Sequence, residues 1–84
     1  MEVLLTHRNL VVERIVSSAN ITPKEYVQSQ DEWVVLLTGE ASMEVAGEAL
    51  ALKAGDYLFL PSGTAHTVKS ASEGALWLAV HLQV

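Results

Sequence analysis

The chain has 84 residues, enough for one domain spanning 1–84, and a domain of this size buries only roughly 60–70% of its unfolded surface, so packing partners matter. Ten acidic and five basic residues give a net charge of -5, and the scatter of Arg8, Arg14, Lys24, Lys53 and Lys69 argues against nucleic acid or an anionic membrane surface as partner. There is no cysteine, which excludes disulfides and thiolate metal sites; no apolar run approaches the ~20 residues of a membrane span and no leader-like start is visible, so a cytoplasmic protein is expected.

In chain order, Val3 to Leu5 reads as a short strand, and Leu10 to Ser17 is rich in β-branched residues that favour extended structure. Ser17 to Asn20 is turn-like, and Pro23 keeps the next segment out of a sheet ladder. Tyr26 to Gln30 is expected to begin an extended strand, with Gln28, Gln30 and Glu32 on one face if the strand is unbroken. Glu32 to Thr38 is a strong strand, although so short an apolar block also suits a helix. Ala41, Met43 and Val45 alternate with Glu40, Ser42 and Glu44, the period of a half-buried strand. Ala46-Gly47 is a hairpin turn, Ala49 to Leu52 returns, and Lys53 to Asp56 turns again. Tyr57 to Leu60, Ala65 to Ser70 and Ala75 to Val84 complete the series. In the last, Leu76, Leu78, Val80, Leu82 and Val84 share one face, and Trp77, Ala79, His81 and Gln83 share the other. Eight or so short strands with no convincing helix predict a β-barrel or sandwich. Trp33–Leu37 and Tyr57–Leu60 are apolar on both faces, so the outward face needs a cover, and a homodimer is expected. Folding of the terminal strands over that face is the alternative.

One stretch punctuates the chain: a glycine turn at Gly55, an apolar strand, the turn Pro61-Ser62-Gly63, and His66 three residues on. Proline presets φ and glycine permits the turn that presents His66. Gly55, Pro61, Gly63 and His66 fall on the first four places of the second signature motif of the cupin superfamily, with Ser70 where asparagine is usual. Glu32 and Gly39 match the second half of the first cupin motif. Tyr26 and Gln28 stand at its two histidine places, and Asn20 at its first glycine place. Fifteen residues lie between Gly39 and Gly55, which resembles the intermotif segment of small single-domain bacterial cupins. The run Tyr26-Val27-Gln28-Ser29-Gln30-Asp31-Glu32-Trp33-Val34, with Trp77 to His81, resembles a group of small cupins of unassigned function.

That resemblance implies an all-β, cupin-type jelly-roll barrel (a double-stranded β-helix). In well-equipped members, two histidines and a glutamate of the first motif, with the second-motif histidine, hold a divalent metal such as iron, manganese, nickel, copper or zinc, and open positions admit substrate. Here the metal set is Glu32 and His66, with Gln28 and His81 as further ligands, and the first motif is degenerate because Tyr26 and Gln28 are poor substitutes for imidazoles. His66 has a second reading, as a group that hydrogen-bonds Glu32 or Gln28 inside a barrel without metal. Glu32 either needs a buried partner or marks a solvated strand start beside Asp31. His81 faces either the pocket, where it replaces a lost histidine, or the oligomer interface. His7 is expected to be exposed. Trp33 and Trp77 read as packing residues, Tyr57 and Phe59 as core or interface, and Ser62 and Thr64 as turn residues.

The function expected is binding of a small polar ligand, such as a sugar or organic acid, in a pocket lined by Tyr26, Gln28, Glu32 and His66. A metal-dependent oxygenase or isomerase-type enzyme using Glu32, His66 and His81 is the first alternative, and a structural or regulatory dimerisation module with a vestigial pocket is the second.

Overall fold

Residues 2–83 are described in the computed structural model, where alternation, β-branching and turn residues resolve into nine strands. These are β1 (Glu2–His7), β2 (Leu10–Ser17), β3 (Glu25–Tyr26), β4 (Asp31–Thr38), β5 (Glu40–Val45), β6 (Glu48–Lys53), β7 (Tyr57–Leu60), β8 (His66–Ala71) and β9 (Ala75–Leu82). Among the described residues there is no helix, and hence none long and apolar enough to cross a membrane. The apolar block Trp33–Leu37 is therefore strand, lying within β4. The expectation that Val84 continues the last strand's alternation lies outside the described residues.

The strands form two antiparallel sheets. One has five strands in the order β1-β2-β9-β4-β7, and the other has four in the order β3-β8-β5-β6. Together they make the jelly-roll layering that the cupin resemblance implies. The last strand shows why the core sits between the sheets: Ala75, Trp77, Ala79 and His81 are buried, and the residues between them are half-buried. Val34 and Leu36 of β4, Ala41 and Met43 of β5, Leu52 of β6 and Leu60 of β7 fill the same space. The opposite faces of β4 and β7 carry Trp33, Leu37, Tyr57 and Phe59 to the surface. Trp33 and Tyr57 lie side by side there, with ring centroids 5.8 Å apart. Tyr57 and Phe59 are thus surface residues and not core.

Two details differ from the sequence expectation. The strand around Tyr26 ends at once: β3 has two residues, and Val27 to Gln30 are irregular before β4 starts at Asp31. Gln28, Gln30 and Glu32 do not share an unbroken strand. The reason lies in the turn at 61–63, whose groups take up the backbone and side chains of this segment. Gly63 N–H donates to Gln28 O at 2.8 Å, Ser62 N–H to Asp31 Oδ1 at 2.9 Å, and Ser62 Oγ to Ser29 O at 3.0 Å. Gly63 has φ +83°, the left-handed backbone that only glycine adopts readily. Second, the hairpin turn is made by Ala46 at φ +50° and Gly47 at φ +83°, positive φ at both central residues as the sheet twist demands.

The tightest corner is at Gly39, between β4 and β5. Its φ is +92°, and a Cβ there would collide with Ser72 Oγ and lie 3.2 Å from the Cα and Cβ of Ala75. Ser72 is itself fixed: its Oγ accepts from Glu40 N–H at 2.9 Å, and its N–H donates to Glu40 O at 2.8 Å. We expect Gly39→Ala to lower stability by about 2–4 kcal/mol, combining backbone strain with overpacking. Gly47→Ala meets open space and is expected to cost about 1 kcal/mol. Urea unfolding of the two variants checks the difference; equal losses would contradict the close approach at Ser72 and Ala75.

Candidate ligand pocket

Between the sheets lies a cavity of about 330 Å³, at the small end of the range for small-molecule sites. The five-stranded sheet contributes Glu13, Ile15 and Ser17 from β2, Glu32 and Val34 from β4, Leu60 from β7, and Trp77 and His81 from β9. The other sheet contributes Met43, His66 and Val68, with Tyr26 and Gln28 closing the side. Every residue predicted for the ligand or metal set is therefore on one cavity wall or another: Tyr26, Gln28, Glu32, His66 and His81. Gln30 does not line it.

Register explains the convergence. Glu32 and His81 are direct cross-strand partners between β4 and β9, so their side chains rise from the same face. Glu13 lies opposite Ala79 on β2, which makes it the diagonal neighbour of His81 on that face. His66 comes from β8 in the facing sheet. The result is an alternating run of carboxylate and imidazole. His66 Nε2 lies 3.7 Å from Glu32 Oε1, Glu32 Oε2 lies 3.4 Å from His81 Nε2, and His81 Nε2 lies 3.7 Å from Glu13 Oε2. Glu32 is only 7% exposed and His81 8%. The solvated reading of Glu32 and the interface reading of His81 both give way: each side chain faces the cavity. His66 is buried too, and its Nδ1 lies 3.2 Å from Thr64 O. Donation by Nδ1 to that carbonyl orients the ring and leaves Nε2 to face Glu32.

The rest of the wall is set by packing. Trp77 is buried and donates from Nε1 to Ser17 Oγ at 3.0 Å, so it is a packing residue, as expected, that also walls the cavity. Tyr26 is half exposed, and its ring stacks at 6.0 Å on that of His66. It stands at the mouth. His7 is exposed on β1, where it pairs with Leu10, and β2 separates it from His81. Among the described residues, the buried side-chain atoms Gln28 Oε1 and His81 Nδ1 have no hydrogen-bond partner. Such atoms are costly unless a ligand or water meets them.

Sequence reasoning missed Glu13. Strand parity would have found it. Glu13, Ile15 and Ser17 alternate on one face of β2, and Ile15 packs on the core, but the preceding Leu10-Val11-Val12 run hides the period.

The donor set does not fit a resident metal of the kind the cupin resemblance implies. Tyr26 and Gln28 bring no imidazole to the first-motif positions. The two imidazoles that are present approach different oxygens of Glu32. Among the described residues, no group of three or more His, Asp or Glu side chains is arranged to hold a metal ion.

With the barrel and its cavity defined, comparison with known proteins is direct. The family model for the cupin domain matches residues 12–81. The chain belongs to the cupin family. Among solved structures it is similar to a candidate mannose-6-phosphate isomerase from Ralstonia eutropha JMP134, with 34% identity and a TM-score of 0.89 over 99% of this chain and 82% of that one. It is similar in fold to KdgF from Halomonas sp., at 15% identity and a TM-score of 0.90, covering 99% of this chain and 76% of that one. An RmlC-like cupin from Shewanella frigidimarina NCIMB 400 gives 18% identity and a TM-score of 0.87, covering 98% and 73%. No curated protein matches the chain.

The geometry of the buried run can be tested without a ligand. Pairing Glu32→Gln with His66→Phe, and separately with His81→Phe, in double-mutant cycles should give coupling energies of about 0.5–3 kcal/mol, as for residues in contact. Glu32→Gln with His7→Phe should give coupling near zero. Urea denaturation supplies the seven variant stabilities; additive behaviour at both buried histidines would contradict the arrangement.

Proposed function

We propose that this cupin binds a small polar molecule in the cavity between its sheets, where better-equipped members of the superfamily hold a metal. The observation that carries this reading is the cavity itself. Apolar walls enclose about 330 Å³, with Glu13, Glu32, His66 and His81 gathered on it. A few convergent polar groups in an apolar cleft are what fixes the orientation of a small ligand. The unpaired Gln28 Oε1 and His81 Nδ1 support the reading, because a bound ligand would satisfy them. Tyr26 and Gln28 bound the mouth, and Glu32 and His66 lie deeper. The relative named as a candidate mannose-6-phosphate isomerase makes sugars a class to include in any ligand search. Chemistry on the ligand would fall to the carboxylates and imidazoles, which can hold and move protons. A cytoplasmic setting belongs to the same proposal.

The test is a thermal-shift screen of the purified protein against sugars, sugar phosphates, organic acids, amines and polyols, with metal analysis of protein purified without chelator. Binding well above Kd should raise the melting temperature by about 5 °C or more, and His66→Ala should abolish the shift. Stoichiometric metal that is lost in His66→Ala would replace this reading with that of a metal-dependent enzyme. No shift with any class would leave a dimerisation module with an unused pocket.

We also propose a homodimer through the outer face of β4 and β7. Leu37, Tyr57 and Phe59 are 45%, 65% and 58% exposed there, beside Trp33. A second copy is the partner that a chain with so small a core most needs. Sedimentation should show a dimer at micromolar concentration, converted to monomer by Phe59→Asp. Wild-type protein that sediments only as monomer would refute the interface.

A further inference from the structure

We propose that the pocket selects its ligand by charge, taking a small organic cation, an ammonium group on an apolar body, and rejecting phosphates and carboxylates. This rests on the reading of the cavity as a binding site and narrows its ligand class.

Charge counting comes first. The lining contains two carboxylates, Glu13 and Glu32, and two imidazoles, His66 and His81, and it contains no lysine or arginine. With both imidazoles neutral the cluster carries two negative charges. With both protonated it carries none. While the carboxylates are ionised, no protonation state of the imidazoles makes it positive. An anion entering would lose its hydration without gaining a counter-charge, which is expensive in an apolar cleft. An ammonium group would instead meet acceptors.

None of the five lysines and arginines lines the cavity. Arg14 pairs with Glu2 on the edge of the sheet, and Lys69 Nζ lies 3.8 Å from Glu44 on an exposed face. Arg8 sits in the β1–β2 turn, and Lys53 ends β6, both exposed. Lys24 alone approaches the mouth. It is exposed, with Nζ 5.4 Å from the centroid of the Tyr26 ring, so it spends its charge on the outside of the aromatic rim.

The unpaired atoms point the same way. Gln28 Oε1 is a buried acceptor without a donor, and a ligand N–H would satisfy it. His81 is buried in the wall, and its Nδ1 is without a partner as well. The Trp77 ring also lines the cavity, an aromatic group of the kind on which organic cations settle. Ile15, Val34, Leu60 and Val68 supply the apolar contact for the ligand's body. A phosphate ester such as mannose 6-phosphate finds no guanidinium or ammonium among these residues, although a relative bears that substrate in its name.

The experiment is isothermal titration of the full chain, freed of metal by chelation, with 2-phenylethylamine, 2-phenylethanol, 3-phenylpropionate and mannose 6-phosphate. The first three share a body and differ in charge. The amine should bind about tenfold or more tighter than the alcohol, and the two anions should give no measurable heat. Glu13→Gln should weaken the amine by about tenfold, as for loss of one charge-assisted contact, and leave the alcohol unchanged. The ligand order on the unaltered chain keeps the test available if Glu13→Gln fails to fold. Tighter binding of either anion than of the amine overturns the proposal. So does displacement of the amine by Zn2+ or Mn2+ alone at micromolar concentration, which would make the site one for an inorganic cation. If none of the four binds while a neutral sugar shifts the melting temperature, charge selection falls and the binding reading stands; if the sugars fail as well, both fall.

Discussion

Strands β4 and β9 pair as neighbours inside the five-stranded sheet, and their register fixes the contents of the barrel. Glu32 opposes His81, Val34 opposes Ala79 and Leu36 opposes Trp77, so every second residue of each strand goes into the core. Because the side-chain period in a strand is two, a slip by one residue would exchange this set for Trp33, Val35, Val80 and Leu78. The carboxylate, one imidazole and the largest core ring would leave the cavity together. The apolar residues hold the register, since Leu36 and Ala79 are completely buried. The polar pair is carried inward with them and is stabilised by finding its counterparts there. Site and core are products of one alignment.

The second constraint is the turn that carries the strongest sequence signal. Pro61, Ser62 and Gly63 shape the approach to His66, but their hydrogen bonds run to Gln28, Ser29 and Asp31. The turn therefore joins two stretches that a reader of the sequence treats as separate motifs. It places Gln28 by its backbone, from an irregular segment. A strand would have placed it by alternation. Ser62, which reads as an ordinary turn residue, is used twice in this clamp. In this barrel positions 26 and 28 put a phenol at the rim and an amide carbonyl in the wall. Two imidazoles from other strands stand beside the same glutamate.

How much of this was legible depends on how far each residue's placement is local. The strands with clean alternation, β5 and β9, read directly, and so did the inward face of His81 once the parity of Trp77 and Ala79 was known to be inward. Which of two faces is inward is a tertiary fact, and that is why His81 stayed open at the level of sequence. Glu32 and His66 were legible through fixed spacing to Gly39 and Gly63. Glu13 was not, because Leu10-Val11-Val12 puts apolar residues on both faces of β2 and Glu13-Arg14-Ile15-Val16 mixes polar and apolar on both; the alternation there is one of burial alone. The break after Tyr26 was hidden for a different reason: nothing in Tyr26 to Gln30 resists extension, and the interruption is imposed by a turn thirty-odd residues away.

The two-residue strand β3 has a consequence for how a molecule gets in. Glu25 and Tyr26 pair with Thr67 and His66 at the outer margin of the smaller sheet, and among the described residues no strand pairs with their other side. The same Tyr26 stacks on His66 at the mouth. The backbone at the entrance is thus a two-residue edge strand, while much of the wall behind it belongs to β2, β4 and β9, eight-residue strands inside the five-stranded sheet. Opening there breaks a couple of hydrogen bonds and leaves the barrel intact, so access and global unfolding are decoupled, with the entrance drawn from the low-energy end of the molecule's fluctuations. The door is cheap to open because it was built from the shortest strand.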